Sequence, residues 1–484
     1  MDGVHRTTRQ TPTGLDDALI VVLIVALLGL GYALNAPLML MDGDTGWHLA
    51  TGRWIVAHGQ VPTTDPFSFT ARGRFWVAHE WLSDVAMFVA WRAGGWSGLI
   101  ALTAAAFAAL LVITGLHLRR WLGGPAILAA LALLGMALGN TLIARPHVLA
   151  LPLLAGWVVL LLRARAQDRA PSPGWAALML VWANAHGSFL LGLVLAGAFA
   201  LEALIDAPTR RRWLVVRRWA GFGLTSTGAA LLTPSGIHGL FYPLYVSRLA
   251  LLPYIQEWRP VDFAQPGPFE LLLLTGLFVL LVRPTRVPPI RLLLLLGVLH
   301  LALQHMRQVT VFAILATLIL AEPIGRAWTG ATAARSRPVG RGDRAAIGVA
   351  IVIALGLAAA RLAVPVERTD SEGVPTSAIA ALPPALRTRA VFNEYSFGGA
   401  LILAGIRPYI DGRSDMYGDD FSIDYFRIAA GDRRRWRAAE RRWRFGWTIL
   451  PPGNRIVTML DADPRWRRAY ADATAVVHVR RRSP

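Results

Sequence analysis

Long apolar runs, separated by short polar or arginine-bearing segments, set the pattern of this chain. The runs lie at about 16–37, 96–118, 124–141, 146–162, 174–187, 188–205, 213–233, 268–282, 291–304, 307–321 and 345–364. Most are close to the ~20 residues that a bilayer-spanning helix requires. The pattern predicts a polytopic α-helical membrane protein of about eleven spans. The first run lacks a small-residue cleavage site and reads as a retained helix. One stretch, "EWLSDVAMFVAWRAGG" (80–95), is apolar enough for a short span, but counting it would reverse every later loop. It reads as a helix at the outer surface or re-entrant, with Trp81 and Trp91 suited to the interface.

After 365 the pattern changes. Residues 366–484 are more polar and mix strand-like segments (389–405, 446–453, 472–482) with a helical stretch at 419–444. A transmembrane domain (1–365, first outer loop 38–95) followed by a small extracytoplasmic α/β domain (366–484) is expected.

Composition supports the membrane reading: the 484 residues are 55% hydrophobic. The net charge is +19, and every basic residue is arginine. With no cysteine, disulfides and thiolate chemistry are excluded. Arginine clusters set the orientation, because positive charge stays on the cytoplasmic side. Arg6 and Arg9, Arg119 and Arg120, Arg163 to Arg169, 208–218, 283–291 and 335–344 all fall on one side under the eleven-span count. The N-terminus is then cytoplasmic and residues 366–484 lie outside, facing away from nucleic acid. The expected location is the plasma membrane.

The unusual polar residues collect on the other side. The first outer loop carries Asp42, Asp44, His48, His58, Asp65, His79, Glu80 and Asp84. Later loops add Arg145 and His147, Asn184 and His186, His238, Glu257 with Arg259 and Asp262, and His300 with His305 and Arg307. Eight of the eleven histidines gather near this face, and ionisable groups near a bilayer tend to line a cavity. A structural role stays open for several of them. His58 and His238 suit solvated helix ends, and Asp44 suits the N-cap of a helix over 45–59. Asp411, Arg413 and Asp415 in "RPYIDGRSDMYG" (407–418) suit either a turn held by an internal ion pair or a loop reaching over the membrane pocket. "RRRWRAAERRWR" (433–444) suits anionic headgroups or a solvated helix face.

The acids beyond the first span, the "HGQVP" at 58–62 and the "HEWL" at 79–82 resemble polyprenyl-phosphate-dependent glycosyltransferases with the GT-C fold. The pattern is similar to the protein mannosyltransferase and aminoarabinose transferase group. The match covers mainly 16–190. Asp44 matches the first acid of that group's acidic pair. Thr45 departs from the second, with Asp42 as a stand-in, and "HEWL" lacks the prolines of the corresponding "PPL". The resemblance implies a sugar delivered on a lipid phosphate, an aspartate acting as base on the acceptor, and cationic groups holding the leaving phosphate. It implies Asp44 as the base with Asp42 second. The residue chemistry is compatible: a carboxylate within reach accepts a hydroxyl proton, and arginine pairs bidentately with phosphate. His48, His79, Glu80, Arg145, His147, Asn184, His186, Glu257, Arg259, His305, Arg307, Asp411 and Arg413 are the candidate substrate- and phosphate-binding residues. No motif establishes a cofactor, and a divalent cation stays open. Asp42, Asp44, His48 and Glu80 offer oxygens and imidazole to a divalent cation, but no spacing is diagnostic of a metal. The expected partners are a polyprenyl-phosphate-linked sugar, membrane lipid, and a glycan, lipid or protein acceptor. Two other functions remain open: a lipid or polymer transporter, and a non-catalytic envelope-assembly scaffold.

Overall fold

The first long helix, Asp17–Leu34, is fixed at its start by charge. The Asp16 carboxylate caps it by accepting the Leu19 N–H at 2.7 Å and meets Arg119 at 3.0 Å. In this computed structural model residues 16–329, 340–364 and 366–481 are described. Arg6, Arg9 and the first part of the 335–344 arginine segment lie outside them. The apolar runs become helices: Trp81–Leu118, Gly124–Leu138, Pro146–Ala166, Ala176–Ala185, Phe189–Asp206, Arg212–Leu231, Pro268–Val282, Pro289–Gln304, Val309–Thr329 and Arg341–Ala363. Among the described residues six helical segments are long and apolar enough to cross a membrane, and three shorter apolar helices accompany them. The chain is a multi-pass membrane protein, and helix length and apolarity alone do not confirm the expected count of about eleven spans.

The stretch at 80–95 is a helix of its own. Trp81–Leu118 breaks at Gly94 and at Gly95, whose φ of 58° is a left-handed conformation open to glycine. The chain folds back so tightly there that a Cβ on Gly98 would meet the Ala90 carbonyl at 2.2 Å.

The ends of the helices sort into two groups. At one end Glu202 takes Arg291 through two contacts of 2.8 and 2.9 Å and Arg165 at 3.1 Å, and Arg165 also reaches Asp206 at 2.6 Å. This buried network ties Pro146–Ala166, Phe189–Asp206 and Pro289–Gln304 together. Arg145, His186 and His305 sit at the other ends of the same helices, which is where the candidate residues collect.

Residues 366–481 form a four-stranded sheet in the order β1 (Val391–Asn393), β2 (Trp447–Leu450), β4 (Val476–Arg480), β3 (Trp466–Ala471). β1 and β2 are parallel, and the other neighbours are antiparallel. Two expectations change here. The strand-like 389–405 is a strand only at Val391–Asn393, after which a 3-10 turn leads into the helix Gly398–Leu403. The glycines at 398 and 399 admit close backbone approach that side chains would block. The single helix expected over 419–444 is two, Ser414–Ala429 and Arg433–Trp443, broken at Gly431 with φ 99°. β3 was not expected from the sequence.

This unit docks directly on the segment that follows the first long helix. A Cβ on Gly46 would strike the Gly399 carbonyl at 2.2 Å, and one on Gly399 would strike the Gly43 carbonyl at 2.2 Å. The backbones touch because neither side carries a side chain. Arg413 completes the clamp. It donates to Asp411 twice at 2.7 Å and to Asp65 at 2.7 Å, and lies over the rings of Trp76 and Phe67 at 4.8 and 5.1 Å. All three charged side chains are buried.

Candidate functional site

Two short segments place the central pair. The Asp42 carboxylate accepts the Asp44 N–H at 2.7 Å, a turn that starts the helix Thr45–His58. Asp44 is the N-cap residue, yet its side chain caps nothing. It turns instead to Arg145. Arg145 precedes Pro146, the first residue of the helix Pro146–Ala166, and the following proline holds it extended at φ −135°, ψ 157°. Thr45 Oγ1 donates to the Ala144 carbonyl at 3.0 Å and so joins the two segments.

Arg145 is the hub. One Nη ion-pairs with Asp44, and the other meets Glu257 at 3.2 Å and Asp42 at 3.5 Å. Glu257 passes the network on to Arg307 at 3.1 Å, and the Arg307 guanidinium lies 4.5 Å over the Trp258 ring. The His305 Nδ1–H donates to the Trp258 carbonyl at 2.7 Å and fixes that turn. Side-chain exposure rises from 15% at Asp44 to 37% at Glu257, so the cluster opens on the Glu257–Arg307 side.

Burial pushes the Asp44 carboxyl up to about 7. Arg145 opposes that rise, while Asp42, Glu257 and Asp411 add to it. Glu257 behaves oppositely: against burial, Arg307 and Arg145 hold it down at about 2. Two carboxylates on one arginine are thereby separated, one poised near neutrality and one ionised throughout. Such separation marks groups suited to proton transfer.

The 407–418 segment holds the expected internal ion pair. Asp411 and Arg413 are the buried clamp, and Gly412 between them lies against Asp44. A Cβ there would stand 1.9 Å from Asp44 Oδ1. The Tyr395 hydroxyl donates to the Gly412 carbonyl at 3.2 Å and holds the loop down.

A second polar cluster begins one helical turn along. His48 does not face Asp44; its Nδ1 stands 2.6 Å from Asp84, with Glu80 3.9 Å from its Nε2. Glu80 also meets His186 at 3.2 Å and His79 at 3.5 Å. The Ser188 N–H donates to His186 Nδ1, so the proton of that imidazole sits on Nε2, toward Glu80. His79, Glu80 and His48 are all largely buried. Glu80 holds His79 up against the burial that would lower it, and burial lowers His48.

Three candidates bond to backbone carbonyls rather than to the charged side chains of these clusters. Asn184 is spent on structure, accepting from the Trp81 indole at 2.7 Å and donating to the Leu180 and Leu232 carbonyls. Arg259 is exposed and donates to the Pro253 carbonyl at 3.1 Å, because its loop turns it outward. His147 donates to the Thr141 carbonyl at 3.0 Å beside the hub. The candidate cation set is divided as well: Asp42 and Asp44 face Arg145, and His48 and Glu80 face the second cluster. Among the described residues no group of three or more His, Asp and Glu side chains is arranged to hold a metal ion.

Sequence reasoning missed several neighbours. Gly412 has no side chain to notice. Arg368 is buried under the acidic turn, where it donates to the Leu40 carbonyl at 3.0 Å and to the Asp42 carbonyl. Tyr395 carries no charge. Asp84 was visible among the loop acids, but its partner was not.

Comparison of the whole fold gives a family of shapes. In fold this chain is similar to archaeal oligosaccharyltransferases. It matches the Archaeoglobus fulgidus oligosaccharyltransferase in its apo form with a TM-score of 0.57 at 14% identity, over 89% of this chain and 69% of that one. The A. fulgidus enzyme AglB, in complex with an inhibitory peptide and a dolichol-phosphate, matches with a TM-score of 0.54 at 13% identity, over 90% and 69%. The enzyme of the apo structure, tethered to an acceptor peptide, matches with a TM-score of 0.56 at 13% identity, over 89% and 68%. These are GT-C folds, and the GT-C architecture expected from the first 190 residues extends over most of the chain. No protein-family model and no curated protein matches the sequence.

Proposed function

We propose that this chain is a membrane glycosyltransferase that moves a hexosyl or pentosyl unit from a polyprenyl-phosphate-linked donor to an extracytoplasmic glycan, lipid or protein acceptor. One observation carries the reading. Asp44, largely buried, ion-paired to Arg145 and poised near neutrality, follows the first long apolar helix and starts the next one in a GT-C-like fold. The related fold in AglB takes a dolichol-phosphate and a peptide, which supports a lipid-linked donor here.

In this mechanism Asp44 accepts the proton of the acceptor hydroxyl. The acceptor oxygen forms a bond to the anomeric carbon as the bond to the lipid phosphate breaks. The leaving phosphate keeps the electron pair, and its charge is met by Arg307 and by the face of Arg145 that Glu257 holds in the resting cluster. Arginine forks suit that role because several fixed N–H groups converge on phosphate oxygens. Gly412 and Tyr395 keep the 411–413 loop against the base. With the arginine ends cytoplasmic, the N-terminus is inside and residues 366–484 form an outer domain over the pocket.

Gathering of the polar groups at one set of helix ends supports chemistry at a membrane face over passage through the bilayer. The test is a panel of radiolabelled polyprenyl-phosphate sugars given to the protein in nanodiscs with envelope extract. Label leaving the lipid phase for an acceptor supports the reading, and no discharge of any donor refutes it.

A further inference from the structure

The helix Arg433–Trp443 has two unlike faces. Trp436, Ala439 and Glu440 are buried, with the Trp436 ring stacked on Phe445 at 5.7 Å and packed against Trp466 of β3 at 6.2 Å. Trp443 leans on Phe69 and Tyr409. The outer face is arginine. Arg433, Arg437 and Arg441 recur every fourth residue, about 6 Å apart along the axis, with Arg434 beside them and Arg444 at the helix end. All five are exposed, and no hydrogen bond or ion pair among the described residues engages their guanidinium groups. Acids nearby in the chain or fold pair with other groups: Asp424 and Asp432 with Arg435, Asp463 with Arg465, and Glu440 with Arg465 and the Trp466 indole. The stripe is therefore a row of uncompensated positive charge.

We infer that this stripe is a docking surface for a soluble anionic polymer, carrying phosphate or carboxylate groups, on the side of the membrane that holds the candidate site. The fold disfavours insertion of this helix into a lipid surface. A helix that lies in a membrane interface needs an apolar face to bury among the acyl chains. Here that face is used up inside the domain, and no large apolar side chain is exposed between 433 and 444. What remains can grip charge alone, and regularly spaced arginine forks suit repeated anionic groups.

The test uses the full chain in zwitterionic nanodiscs, with polyphosphate and polygalacturonate as probes and neutral dextran as control. Wild type binds the two polyanions and not dextran, with affinity falling steeply as salt rises. The combined Arg433→Gln, Arg437→Gln and Arg441→Gln variant, whose substitutions are all exposed, keeps its melting temperature and binds about tenfold more weakly. Equal binding by wild type and variant overturns the inference. So does binding of neither polyanion by a protein that anionic phospholipid vesicles, added as a further probe, do capture through the same arginines, which would make the partner a membrane.

Discussion

Replacing Gly412 with alanine adds one carbon at the most crowded point of the site. The new Cβ would stand 1.9 Å from Asp44 Oδ1, 2.5 Å from Cγ and 2.7 Å from Oδ2. A carbon–oxygen contact settles at about 3.3 Å or more, so the carboxylate must retreat by more than about 1 Å. The loop cannot retreat in its place, because Asp411 and Arg413 on either side are locked into the buried clamp with Asp65. A misplacement of about 1 Å at a reacting group costs roughly 10²-fold in rate. The overpacking itself costs about 1–3 kcal/mol. Transfer should therefore fall about a hundredfold while the protein still folds. Gly453→Ala is the control, since a Cβ there meets nothing within 4 Å. The assay is label transfer at saturating donor, beside thermal melting of both variants. A Gly412→Ala protein with wild-type turnover would refute the claim that the 411–413 loop positions the base.

Other expectations follow from the same geometry. The rate should rise with pH about a midpoint near 7, because Asp44 acts ionised and its carboxyl is raised to about 7. Arg145→Gln should move that midpoint higher, since Arg145 is the group that lowers it; a pH–rate profile of both proteins reads the shift. The same raised carboxyl makes the folded state bind the extra proton between 3.8 and about 7, so its contribution to stability should decline as pH rises through that window. Arg413→Met leaves Asp65 and Asp411 buried without their cation and should destabilise by about 3–5 kcal/mol, measured by denaturant titration. Adding Asp65→Asn and Asp411→Asn should recover part of the loss. Glu202→Gln, at the opposite helix ends, should lower the melting temperature while leaving the pH midpoint where it is.

The membrane helices were legible because bilayer crossing imposes long apolar runs that need no tertiary knowledge. Asp44 and Arg145 were legible as candidates, 101 residues apart, because topology sent both to one face. Their direct pairing, and the division between the Arg145 hub and the Glu80 cluster, depend on packing that no spacing encodes. Gly412 and Gly399 matter through what they lack. β3 escaped notice because "WRRAYA" is an edge strand, exposed at most positions and with a bulge between Arg468 and Tyr470, so the usual alternation is lost. Asn184 and Arg259 looked like site residues from their sequence neighbours. Backbone carbonyls claim both.

The central claim is that Asp44 removes a proton while a lipid-phosphate bond breaks. Single-turnover transfer from a labelled polyprenyl-phosphate sugar, in nanodiscs, should be compared for wild type, Asp44→Asn and Asp42→Asn. Asp44→Asn should abolish transfer while still binding donor. Asp42→Asn should slow the reaction and shift the midpoint to lower pH, since Asp42 helps to raise Asp44. Transfer by Asp44→Asn at the wild-type rate, with the pH profile unchanged, would contradict the central claim.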